Sequence, residues 1–292
     1  METIYETIHR PPPEARSALL EVSVGCSYGK CTFCRLANGE IPLQLVSPHV
    51  LSYNLAEMAE QGESAERMFL TGENVLAFKT QYLLDVFALV QSYLPQIREF
   101  AMYARADDIL RKTDEQLEKL RLAGLHTVYV GVESGNAQVL SLCKKGETPE
   151  LIVDQLLRLD RIGIQYGLSS ILGLGGKTLW EQHAKDTAAL YNRVYPRSVR
   201  VMTLTPMEGT PLEKAVADGS FQLLSDEEII REELLLLKSL QVTKPFRFIG
   251  NHVSNNIPMT GNLPEDLNKL IQSLENALQV QTSCCKRTSN AW

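Results

Sequence analysis

The chain has 292 residues, 44% hydrophobic and 22% charged, with a formal net charge of −6. That is enough chain for one or two domains with a sizeable core, and its acidity, with no basic stretch interleaved with aromatics, argues against nucleic acid as a partner. The N-terminus METIYETIHRPPPEARS lacks the apolar core of an export signal, no apolar run approaches the ~18 residues of a membrane span, and the six cysteines are too few for a disulfide framework. A cytoplasmic location without membrane contact is therefore expected; the oligomeric state is left open.

Short β-rich runs alternate with helical stretches. The strands are LLEVSV (19–24), RMFLTG (67–72), REFAMYA (98–104), TVYVGVES (127–134), YGLSSILGLG (166–175) and SVRVMTL (198–204). Between them, Ser47 caps a helix that closes at Gly62, Thr113 caps one ending at Gly124, and Thr148 opens a third ending at Gly163. Near-continuous apolar strands separated by helices predict an α/β fold with a parallel sheet, either doubly wound or barrel-like. LLLLKSLQV (234–242), after the acidic DEEIIREE, reads as an ordinary helix. Residues 243–266 are polar and turn-rich and suggest a lid. A last amphipathic helix follows in LPEDLNKLIQSLENALQ, and the tail TSCCKRTSNAW reads as mobile, with Cys284 and Cys285 incidental.

Three cysteines, Cys26, Cys31 and Cys34, stand in a C-x4-C-x2-C spacing just after the first strand, where the functional loops of either architecture lie. Structural zinc would need a fourth ligand, with His9 or His49 as the candidates. A plant-type two-iron cluster would need Cys143, which reads more simply as a small buried hydrophobe. Three clustered but inert cysteines are a third reading. The fourth is a four-iron four-sulfur cluster held at three irons, with one iron open to an external ligand.

That last arrangement resembles the radical S-adenosylmethionine (SAM) superfamily, whose three-cysteine loop usually reads C-x3-C-x2-C with an aromatic before the last cysteine. Phe33 is that aromatic; the extra residue here falls beside Gly29, which can take an unusual φ. LTGEN (70–74) resembles the motif that receives the SAM ammonium, through Thr71, Gly72 and Glu73. VGVESGN (130–136) resembles the motif whose acid, here Glu133, takes the ribose hydroxyls, and Lys145 matches a basic partner of the SAM carboxylate. ILGLGG (171–176) and TLTPMEGTPL (203–212) resemble the segments that lie along the adenine, through Leu174, Leu204 and Met207. Arg105, in YARADD, points to the same mouth. The GVESGN and RADD-like stretches most resemble the group containing methylthiotransferases, the Elongator catalytic subunit and oxygen-independent coproporphyrinogen oxidase.

The resemblance implies a partial (β/α)6 TIM-like barrel over residues 1–242 with a C-terminal extension over 243–292. It implies a four-iron four-sulfur cluster and SAM as cofactors, reductive cleavage of SAM, and hydrogen abstraction by the resulting 5′-deoxyadenosyl radical. A reductant such as a flavodoxin or ferredoxin is then needed. The substrate, small molecule or peptide, is not named by the sequence, nor are catalytic residues; Arg247, His252, Asn255 and Asn256 are the candidates to face it. A cluster- and SAM-binding protein that delivers cofactor or metal without turnover is the alternative.

Overall fold

The structure, a computed structural model, describes residues 10–38 and 41–289, with side chains described for 10–36 and 41–280. In chain order the elements are β1 (Ala18–Glu21), β2 (Ser23–Val24), β3 (Gln44–Leu45), α1 (Pro48–Glu60), β4 (Arg67–Thr71), α2 (Thr80–Tyr93), β5 (Glu99–Ala104), α3 (Ala106–Leu110), α4 (Asp114–Leu122) and β6 (Leu125–Glu133). They continue with α5 (Ala137–Leu142), α6 (Pro149–Ile162), β7 (Gln165–Leu172), α7 (Gly176–Tyr191), β8 (Ser198–Thr203), α8 (Pro211–Ala217), α9 (Asp226–Lys238), β9 (Phe246–Gly250), β10 (Met259–Leu263) and α10 (Leu267–Ser289).

The main sheet has eight strands in the order β1-β4-β5-β6-β7-β8-β9-β10. The pairs β1–β4, β4–β5, β5–β6 and β8–β9 are parallel, and β9–β10 is antiparallel. The fold is thus α/β, as expected, and the predicted strands appear in chain order as β1 with β2, then β4 through β8. Two compact units divide the chain: the first comprises the described residues of Met1–Lys30, Leu36–Gly131 and Asp154–Gly167, the second those of Cys31–Arg35, Val132–Val153 and Leu168–Trp292. No helix among the described residues is long and apolar enough to cross a membrane.

The helix starts follow from local chemistry. Ser47 accepts the Val50 N–H, Thr113 and Gln116 form a reciprocal capping box, and the Thr148 hydroxyl accepts the Leu151 N–H at 3.2 Å. At the N-terminal ends of the strands in the first unit, Arg67 bonds Glu14 at 2.6 Å and Glu99 at 2.8 Å, and the Tyr129 hydroxyl donates to Glu14 at 2.6 Å. Burial pushes Glu14 up, but the bonds from Arg67, Ser17 and Tyr129 outweigh it and hold the carboxyl below its ordinary value. That end of an α/β sheet serves stability, leaving the C-terminal ends for chemistry.

Three elements differ from the sequence reading. The run 19–24 is not one strand: Val22 donates its N–H to Thr71 O at 3.1 Å, and beyond it Ser23 and Val24 pair antiparallel with Leu45 and Gln44. The chain leaves β4 for β3 there, which starts the cysteine loop at a turn. Residues 243–266, expected as a lid of turns, contain β9 and β10; Phe246 and Phe248 are buried on either side of exposed Arg247, and Ile249 is buried on the other face. The tail expected to be mobile from 282 is helical as far as Ser289, in α10; the side chains of Cys284 and Cys285 lie outside the described residues.

Glu233 of α9 is buried, and its Oε1 has no hydrogen-bond partner among the described residues. Burial first, and the charge of Glu232 second, push its carboxyl up to about 8 from an ordinary 4.5. The folded state therefore holds this proton more tightly than the unfolded chain does. Its contribution is fully present below 4.5 and is lost as pH rises through about 8. Thermal unfolding measured across this window should show the melting temperature falling toward about pH 9, and Glu233→Gln should flatten that decline. An equally steep decline in the variant would refute the assignment.

Candidate cofactor site

In the first unit, the turn that ends β4 holds the start of the cysteine loop. Thr71 is buried as the last residue of the strand, Gly72 follows at φ 146°, and Glu73 is exposed. The next side chain, Asn74, is buried and grips the loop on two atoms. Its carbonyl accepts the Ser27 N–H at 3.3 Å and the Cys26 thiol at 3.6 Å. Its amide donates to Ser27 Oγ at 2.7 Å and to Asp108 Oδ2 at 3.4 Å. Asp108 in turn accepts the Arg105 N–H at 2.8 Å.

The Arg105 guanidinium lies 3.6 Å above the Tyr28 ring, a stacked cation–π contact. Gly29 sits at φ 60°, the left-handed conformation that the longer cysteine spacing was expected to need. Within this unit Arg105 therefore braces the residues that lengthen the loop. Neither Asn74 nor Tyr28 stands out in the sequence; the signal for both was the extra loop residue itself, which needs something to hold it.

In the second unit, Cys34 donates its N–H to Cys31 O at 3.0 Å, closing a tight turn. Between them Thr32 donates to Cys143 O at 2.9 Å, and its own carbonyl accepts the Leu212 N–H at 3.0 Å. Phe33 packs on a buried cluster of Val139, Cys143, Ile171 and Leu174, joined by Leu179 and Leu204. Leu204 is set there by its N–H, which donates to Leu172 O at 2.9 Å. Three sequence candidates from three separate motifs, Phe33, Leu174 and Leu204, thus share one apolar surface. Met207 is not part of it; it is exposed in the turn before α8, where its carbonyl accepts the Thr210 hydroxyl at 2.7 Å. Cys143 is buried, its thiol pushed up to about 12 chiefly by burial, and it meets the loop through its carbonyl.

Glu133 ends β6 with φ 63°, left-handed for a residue that is not glycine. Lys145 Nζ lies 3.4 Å from its Oε1 and 3.8 Å from Glu147 Oε2, and all three residues are buried. Burial pushes Glu133 up, Lys145 opposes this, and Glu147 adds to it. The following GN turn is moored to α7: Gly135 donates to Thr187 Oγ1 at 2.9 Å and Asn136 to Asp186 Oδ2 at 2.6 Å. Only glycine fits at 135, because a Cβ there would stand 2.2 Å from the Asp186 carbonyl oxygen.

The residues expected to face a substrate divide. Arg247 is exposed on β9 opposite Ser198, the first residue of β8, at the N-terminal end of that strand pair. Asn255 is buried and its amide is spent on backbone: it accepts from Thr203 N at 2.8 Å and donates to Val201 O at 3.0 Å and Gly250 O at 2.9 Å. His252 is half-buried beyond the C-terminal end of β9, Nδ1 2.8 Å from Ser254 Oγ; burial and the Arg200 charge push its pKa down. Asn256 is exposed and donates to Asp226 O at 3.3 Å.

Cys26, Cys31 and Cys34 are half-buried thiols that form no disulfide among the described residues, a donor set suited to a cluster that takes one thiolate per iron. Among the described residues no three His, Cys, Asp or Glu side chains converge on a single metal ion. His9, one candidate to complete a zinc site, lies outside the described residues.

The Radical SAM superfamily matches residues 20–188. The chain belongs to that superfamily. Its members are enzymes that use a four-iron four-sulfur cluster and SAM, and the donor set here fits that pair. Among curated relatives, the tRNA-2-methylthio-N(6)-dimethylallyladenosine synthase of Chromohalobacter salexigens is 26% identical over 290 residues. The match covers 93% of this chain and 60% of that protein, so the chain spans well under two thirds of its relative's length. Among solved structures, methylornithine synthase superposes with a TM-score of 0.55 at 18% identity over 77% of this chain and 63% of that one. Elp3 from Methanocaldococcus infernus gives 0.53 at 16% identity over 77% and 55%. At these identities the superpositions speak for the fold alone, an α/β fold of the TIM-barrel-like kind.

Proposed function

We propose that Cys26, Cys31 and Cys34 hold the cluster of this radical SAM enzyme, that Glu133 and Lys145 bind SAM, and that the radical formed there abstracts hydrogen from a substrate. The observation that carries this reading lies in the second unit. Phe33, Leu174 and Leu204 meet in one apolar cluster whose Cys143 is two residues from Lys145, itself paired with Glu133. Motifs spread over about 170 residues of sequence meet there, and an apolar surface beside a buried acid–base pair is the lining that a nucleoside-bearing cofactor needs.

Bound cluster and SAM supply a one-electron cleavage of the sulfonium C–S bond into methionine and a 5′-deoxyadenosyl radical. The chain's own residues bind and shield. The Glu133 carboxylate offers two acceptors to ribose hydroxyls, and Lys145 offers three donors to a carboxylate. Thr71, Gly72 and Glu73 supply acceptors for an ammonium. The apolar wall keeps water from the reacting carbon. Arg105 acts in this reading as the brace of the cysteine loop. Of the substrate candidates, His252 and Asn256, after β9, lie where functional loops belong; Arg247 and Asn255 are less suited by their placement. The electron comes from a small redox protein such as a flavodoxin or ferredoxin. A small molecule or peptide remains the expected substrate class, and a relative named for a modified tRNA nucleoside keeps nucleic acid beside them.

Anaerobic incubation with SAM and dithionite tests the reading. Cluster-loaded wild-type protein should release 5′-deoxyadenosine and Cys34→Ala should not. A cluster-loaded protein that binds SAM and releases none would favour cofactor delivery without turnover.

A further inference from the structure

His183, on α7, is 2% exposed and faces two oxygens. Its Nδ1 lies 2.6 Å from Glu232 Oε1, and its Nε2 lies 3.4 Å from the backbone carbonyl oxygen of Glu133. Glu232, on α9, is fully buried, and its second oxygen accepts the Gly173 N–H at 2.5 Å. One buried side-chain pair thus connects the backbone at the end of β6 with the backbone of the turn that follows β7. Those are the two turns that carry Glu133 and Leu174.

We propose that the His183–Glu232 pair is a positioning device for the adenosyl end of SAM, holding the Glu133 turn and the Gly173 turn at a fixed separation. This rests on the cofactor reading above. Left-handed backbone at a non-glycine residue is strained and persists only where its surroundings over-determine it. At Glu133 the surroundings are Lys145 on the side chain, Thr187 and Asp186 on Gly135 and Asn136 just beyond it, and His183 on the carbonyl oxygen itself. The same pair fixes the amide of Gly173, one residue before the apolar contact of Leu174. A ribose acceptor and an adenine wall must keep their spacing to bind one nucleoside, and a shared buried clamp does this with no direct contact to it.

The test compares two ligands on anaerobically reconstituted protein: SAM, and methionine, which lacks the adenosyl end. His183→Ala should retain wild-type iron and sulfide and weaken SAM by roughly tenfold or more through the lost clamp, with methionine affinity unchanged. Glu232→Gln should keep SAM within about threefold, because its amide can still accept from Gly173 and bond the His183 ring. Should His183→Ala not fold, His183→Gln, which retains one donor at shorter reach, carries the same comparison. SAM affinity unchanged in the iron-loaded His183 variant overturns the inference alone. Equal weakening of SAM and methionine also overturns it, since that is a general defect. Wild-type protein that takes up iron but no SAM overturns the cofactor reading and this inference with it.

Discussion

Cys26→Ala, Cys31→Ala and Cys34→Ala should each abolish cluster assembly, whereas wild-type protein reconstituted without oxygen should hold about four irons and four sulfides. Each thiolate would ligate a separate iron, so no one of them can replace another. The loop around them is held by neighbours that alanine leaves in place. Asn74 still accepts the Ser27 N–H, and Cys34 N–H still reaches the carbonyl of residue 31. The variants should accordingly keep far-ultraviolet circular dichroism and melting behaviour close to those of the metal-free wild type. Cys143→Ala is the control: its sulfur is buried in the apolar cluster and donates to Leu140 O at 3.5 Å, so iron content should persist. Iron and sulfide analysis reads the result. About one equivalent of zinc with no iron, or a full cluster in Cys31→Ala, would overturn the assignment.

The parts of this protein that were legible in sequence depend on neighbours close in the chain. Caps at Ser47, Thr113 and Thr148 each bond an amide three residues on, so the helix starts could be read from spacing. The strands were legible because helices cover them and leave apolar runs. β9 was missed since FRFIG is short and lies among Asn, Pro and Gly, and its paired residues in β8 lie 49 positions earlier in the chain. The interrupted first strand was hidden because Val22 is apolar whichever neighbour it bonds. Of the residues proposed for the site, the cysteines, Phe33, Glu133, Lys145, Leu174 and Leu204 could be singled out by their places within motifs. Asn74, His183 and Glu232 were not: each is a polar residue whose partners lie about 50 positions away, and no local pattern marks it.

Lys145→Ala should have the second large effect, on stability and on SAM affinity together. The ammonium lies between two buried carboxylates, 3.4 Å from Glu133 and 3.8 Å from Glu147. Removing the only cation of the three leaves two like charges facing each other out of water, and breaking a buried pair from one side costs about 3–5 kcal/mol. Burial already pushes Glu133 up, and Lys145 is the largest influence opposing that shift. Without it the folded carboxyl rises further above its unfolded value, so the variant should be most stable below the ordinary carboxyl range and lose stability as pH rises through the raised value. Glu133→Gln behaves differently. It removes one of the crowded charges, leaves Lys145 paired with Glu147, and should cost little stability while weakening SAM by about 1–3 kcal/mol through the lost acceptor. The double variant Lys145→Ala with Glu133→Gln should recover part of the stability lost in Lys145→Ala and none of the SAM affinity. Chemical denaturation over a pH series, beside SAM binding on cluster-loaded protein, separates the two effects. If Lys145→Ala is as stable as the wild type at neutral pH, the pair is not buried as described. If Glu133→Gln binds SAM undiminished, the ribose acceptor lies elsewhere in the fold.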